Sequence, residues 1–134
     1  MGNTIYRLAQ DNEVALLLAL SKPTAPIGWL NMVAMRGNTL LGFILTQDRD
    51  EAVIAGPLWL SDGLEHKTFV ALRLFEAYER VMAGVGIKKY LFYIDNEFPD
   101  WIDLVMKLPG FAILQKDTKR IWFERRLQWV AAAT

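Results

Sequence analysis

A chain of 134 residues, 53% of them hydrophobic and with five Trp and seven Phe, is long enough to form one domain burying roughly two-thirds of its unfolded surface. Such a composition excludes disorder. Fifteen basic residues balance fifteen acidic ones, so no net field draws in nucleic acid or an anionic membrane.

The absence of cysteine removes disulfides, thiolate metal sites and a Cys nucleophile. No run approaches the ~20 apolar residues of a membrane helix. Residues 14–20 are apolar, but Asp11 and Glu13 precede them where a signal peptide carries positive charge. The expectation is a protein made and kept in the cytoplasm. A mean hydropathy of +0.17 points to apolar surface covered by a protein partner.

In chain order, residues 4–8 alternate weakly and read as an edge strand. A helix follows over 10–20, with Asp11 and Asn12 as caps, ending at Lys22-Pro23. Strands at 29–35 and 40–47 flank Arg36-Gly37-Asn38-Thr39, a tight hairpin turn. A third strand runs over 52–60. Pro57 within it cannot donate to a ladder, which predicts a bulge after Gly56. The spacing over 64–83 predicts a long helix with Arg73, Glu76 and Arg80 on one polar stripe, stopped by Gly84 and Gly86.

Residues 90–94, YLFYI, form an uninterrupted apolar run that predicts a central strand buried on both faces. The intervening helix makes its pairing with strand 52–60 parallel. A short helix over 100–108 stops at Pro109-Gly110, and strands 111–115 and 121–127 close the chain as a hairpin. Residues 1–127 therefore read as one α/β domain with a mixed sheet flanked by helices, and 128–134 as a tail.

The element order, together with the KLPGF corner at 107–111, resembles the GNAT acetyltransferase superfamily. The resemblance implies a three-layer fold around a central mixed sheet that splays between strands 52–60 and 90–94, where that family holds acetyl-CoA. The family's pyrophosphate loop, Q/R-x-x-G-x-G/A, falls on His66, Lys67, Thr68, Phe69, Val70 and Ala71. Only Ala71 conforms. The matching cofactor-binding residues are then His66, Lys67, Thr68 and Ala71, with Phe69 expected to put a ring where bare backbone meets phosphate. Val105 takes the place of a Tyr that protonates the leaving thiolate in many members. Pro57 removes an N–H from the strand that bonds the pantetheine arm.

LSDG at 60–63, LFYIDN at 91–96 and KLPGF are also similar to the layout of short GNAT-like internal virion and head-assembly proteins of tailed phages. That resemblance implies host cytoplasm or the virion as the setting. The leading expectation is a GNAT-fold protein with a degenerate acetyl-CoA loop that is not catalytic, needs no cofactor and acts through protein–protein contacts. The alternative is an acetyl-CoA-dependent N-acyltransferase with atypical cofactor binding. A third reading is a small-molecule binder using the splay, excluded if Phe69 and its aromatic neighbours fill it.

For any activity, Tyr93, Asp95 and Glu97 are the acid–base candidates, because they lie at the carboxyl end of a buried strand. Asp62 and Glu65 suit the start of the long helix. His66, the only histidine, has no second imidazole with which to build a metal site or a triad. Trp122, Arg125, Arg126 and Trp129 combine the aromatic and Arg chemistry of interface hot spots, making them the candidate partner contacts.

Overall fold

The computed structural model describes residues 3–23, 26–49, 52–107 and 110–127. Strand β1 (Thr4–Leu8) leads through a 3-10 turn (Asp11–Glu13) into α1 (Val14–Ser21). A meander follows: β2 (Met32–Arg36), β3 (Thr39–Arg49) and β4 (Ala52–Leu60). Then come α2 (Lys67–Gly84), β5 (Lys89–Asp95), α3 (Pro99–Lys107) and the hairpin β6 (Phe111–Lys116) and β7 (Arg120–Arg126). The seven strands form one sheet in the order β1-β2-β3-β4-β5-β7-β6. All neighbours are antiparallel except β4 and β5.

Alternation along β2 and β3 sends successive side chains to opposite faces. On one face Met32, Ala34 and Ile44 join Leu74, Tyr78 and Met82 of α2, with Val105 of α3 and Phe123 of β7 in the same cluster. On the other, Val33, Phe43 and Leu45 pack with Leu17 of α1. The molecule is thus a helix, sheet, helix sandwich. The α2 layer holds most of the core, while α1 is anchored by Leu17 alone of its residues.

Several boundaries differ from the sequence expectation, each for a local reason. The first helix is capped by Gln10 rather than Asp11 or Asn12: the Gln10 N–H donates to the Glu13 carboxylate at 2.7 Å. Residues 29–31 lie outside β2, because Asn31 uses its side chain to accept from the Thr46 N–H and donate to the Gly28 carbonyl. Helix α2 begins at Lys67, three residues late, since His66 takes a left-handed conformation (φ 57°). Strand β5 is covered fully on one face only; Leu91 and Tyr93 are half-buried. The bulge at Gly56-Pro57 is present: Ile44 pairs with Leu58 and Thr46 with Ala55, so two residues oppose Leu45.

Arg7 clamps the Glu13 carboxylate in a two-pronged ion pair at 2.8 and 2.9 Å. That contact, aided by the Gln10 N–H, pushes the Glu13 pKa down to about 2. A depressed carboxylate stabilises the fold above its unfolded pKa, and the contribution is lost as pH falls through the folded value. Urea unfolding of wild type and Glu13→Gln should therefore diverge at neutral pH. The two should converge between about pH 4.3 and about 2. A gap that persists at pH 2 would contradict the assignment.

Candidate functional site: a cleft between the parallel strands

Strands β4 and β5 pair only at Ile54–Leu91 and Ala55–Phe92. Beyond Ala55, the positive φ of Gly56 (132°) bends β4, and Pro57 offers no N–H to bridge back. The strands part, leaving a cavity of about 610 Å3. Its floor is buried and apolar: Ala71 of α2, Phe92 and Ile94 of β5, and Val105 of α3. Phe75, Trp101 and Phe111 add aromatic walls. Phe75 meets Phe92 edge-on at 5.0 Å, a geometry that holds both rings in place. Exposed Lys22, Asp62, Lys67 and Phe98 stand at the mouth.

Two acid–base candidates reach the cleft, tied to their neighbours. Direct pairing of β5 with β7 sets Asp95 opposite Arg120 and Tyr93 opposite Trp122. The Asp95 carboxylate lies 3.5 Å from the Arg120 guanidinium. That guanidinium also covers the Tyr93 ring at 4.3 Å, while Trp122 backs it at 5.0 Å. Glu97 is exposed and lies off the lining.

Of the loop residues, Lys67 and Ala71 line the cleft and His66 does not. Thr68 instead edges a shallow depression beside Trp101 and Lys107. Phe69 does not line the cleft. Val70, Ala71 and Leu74 take the buried side of α2, leaving Phe69 on the outer side, 55% exposed, with Arg73 over its ring at 5.1 Å. The splay is therefore open, and the sequence condition for excluding a small-molecule site is not met.

The partner candidates divide. Arg126 is exposed and paired with Glu124, and Trp122 is half-buried behind Tyr93. Arg125 turns inward instead. Its Nε and Nη2 donate to the buried Glu79 carboxylate at 2.9 and 3.0 Å, which anchors it in the fold rather than presenting it to a partner. Trp129 lies outside the described residues.

Tyr90 also donates to Glu79, at 2.6 Å. Burial, then the neighbouring carboxylate, pushes the Tyr90 phenol well up, so it stays a protonated donor. The glycine of KLPGF makes the Arg125 contact possible: Gly110 has φ 87°, and a Cβ there would collide with the Arg125 guanidinium. Sequence reasoning missed Glu79, Lys22 and Arg120. Glu79 had a signal, a charge three residues before Met82 on an apolar helix face; Lys22 and Arg120 are placed only by tertiary structure.

No protein-family model matches the chain, and no curated protein matches it in sequence. Solved structures do match in fold. The PaiA N-acetyltransferase from Thermoplasma acidophilum, in complex with coenzyme A, superposes with a TM-score of 0.70 at 16% identity, over 93% of this chain and 99% of that one. The ribosomal-protein-S18-alanine N-acetyltransferase from Escherichia coli gives 0.71 at 12%, over 92% and 94%. Ard1 from Thermoplasma volcanium gives 0.70 at 11%, over 92% and 97%. The chain has the GNAT acetyltransferase fold.

Whether this cleft suits acetyl-CoA turns on its donors. The first-turn N–H groups of α2 precede its first intrahelical bond, Val70 N–H to His66 carbonyl at 3.1 Å, and so have no partner within the helix. But Pro57 has no N–H on the strand beside the cleft, the helix start carries side chains instead of glycine, and buried Val105 offers no hydroxyl. Pro57 and Val105 thus lack two of the hydrogen-bonding groups that the resemblance implies for acetyl transfer. Among the described residues no group of three His, Cys, Asp or Glu is placed to hold a metal. No helix there is long and apolar enough to cross a membrane.

Proposed function

We propose that this chain is a GNAT-fold protein that keeps the scaffold without the transfer chemistry and acts through protein–protein contacts. The observation that carries the reading is α1. Its sequence, VALLLALS, is apolar all round, a pattern expected of a helix enclosed on every side. Yet only Leu17 is buried, while Leu16 (54%), Leu18 and Leu20 are exposed. Exposed Ile5 pairs with Met35 across β1 and β2, with Leu40 paired to Met35 in turn. Met35 and Leu40 pack against the Leu17 cluster, so the apolar surface runs from the helix onto the sheet.

The occupant we name is a second copy. With fifteen charges of each sign, copies carry no net repulsion, a condition that favours association. The phage internal virion and head-assembly proteins whose layout the sequence resembles are the setting in which such a building block works. Size-exclusion chromatography with light scattering tests this. Wild type should run as a dimer or larger, and Leu16→Glu/Leu20→Glu as a folded monomer, with association weakened about tenfold or more per leucine. A wild type that stays monomeric at high concentration would sink the reading.

The second reading, an acyl-CoA-dependent N-acyltransferase with atypical cofactor binding, is favoured by the open cleft and by Lys67 at its mouth. Calorimetric titration with acetyl-CoA separates the two. Micromolar binding that is lost in Lys67→Met would favour the transferase.

A further inference from the structure

We propose that the cleft between β4 and β5 is a binding site for a monoanionic amphiphile: a carboxylate on an aliphatic body, of the medium-chain fatty acid class. At about 610 Å3 it lies within the roughly 300–1,000 Å3 typical of ligand sites, which are apolar cavities with a few convergent polar groups. The polarity is graded from mouth to floor. Phe92, Ile94 and Val105 at the floor are all under 8% exposed and have no side-chain polar atom. A polar ligand body would lose its hydration there without compensation; an alkyl chain gains from the same transfer.

The charge at the mouth selects the sign of the head group. Two of the five charged groups on the lining, Asp95 and Arg120, neutralise each other. Lys22 and Lys67 then face a single carboxylate, Asp62, leaving one net positive charge. Lys22 is held there by its left-handed backbone (φ 47°), which caps α1, and Lys67 is the first residue of α2. An anionic head is therefore favoured over a neutral or cationic one.

The edge-to-face packing of Phe75 with Phe92, and of both with Phe111, keeps the cavity walls formed without a ligand. Little ordering cost is left for binding. This site touches α1 only at its C-terminal end, through Ser21 and the capping Lys22; Leu16 and Leu20 do not line it, so its occupancy does not depend on self-association.

The experiment is calorimetric titration of the full chain with decanoate, decylamine and decanol. Decanoate should bind best. Lys67→Met should weaken it about fivefold, the size of one solvent-exposed charge contact, and Asp62→Asn should tighten it. Leu72→Trp, which narrows the mouth from an exposed position, should weaken all three probes. Leu16→Ser/Leu20→Ser, which adds no charge beside Lys22, should bind decanoate as wild type does, showing that the apolar α1 surface is not the site. Decylamine binding as tightly as decanoate would overturn the proposal. So would no decanoate binding at millimolar concentration, or binding abolished by the α1 substitutions but indifferent to Lys67 and Leu72.

Discussion

Replacing Glu79 with Ala should lower the unfolding free energy by roughly 3–5 kcal/mol, the range for removing one partner of a buried ion pair. Glu79 is 3% exposed and accepts from Tyr90 and from two nitrogens of Arg125. Its removal strands a largely buried guanidinium and a buried phenol together. Urea denaturation would read the loss. Tyr90→Phe should cost only about 1 kcal/mol, because both Arg125 contacts survive. The double variant Glu79→Leu/Arg125→Met should recover much of the single-variant loss, since replacing both charges with apolar groups is often neutral. A double variant as unstable as Glu79→Ala would show that the cluster works by packing rather than by charge.

Phe43→Ala should cost about 3–5 kcal/mol as well, from lost transfer free energy and an unfilled cavity. Phe43 is fully buried and stacks on Trp59 at 5.3 Å, in the small cluster that seats Leu17. Because α1 buries no other residue, loosening that seat should displace the leucines proposed to join two copies. Phe43→Ala is thus expected to lower both the midpoint of urea unfolding and the apparent mass in light scattering. Lost stability with undiminished association would place the contact elsewhere on the surface.

The fold was legible because its signals are local. Apolar periodicity, the Gly37-Asn38 turn, Pro57 and the two glycines after residue 83 each act within a few residues, and together they placed the elements in order. The parallel pairing of β4 and β5 followed from the length of the crossover between them. The KLPGF corner was also legible as a corner, but its physical task was not. Gly110 leaves room for Arg125 to reach Glu79, a contact across 46 residues that no local pattern encodes.

The position of the cleft was legible, but the contacts around it were not. Phe69 reads as an obstruction when the loop pattern is laid over the sequence, yet helical phase turns its ring outward beneath Arg73. The position of Asp95 and Tyr93 at the end of β5 brings both to the cleft. Their tie to Arg120 required the register of β7, which only the folded hairpin supplies. Arg125 looked like an interface residue for the same reason: its composition was visible, its inward partner was not.

The proposed function requires that the fold persist here without the acetyl-transfer machinery. Its most direct measurement is release of free thiol from acetyl-CoA, followed continuously in the presence of small amines and N-terminal peptides. Release no faster than spontaneous hydrolysis is expected for wild type and for Tyr93→Phe alike. Turnover well above that background, abolished by Tyr93→Phe or by Asp95→Asn in a protein that remains folded, would contradict it.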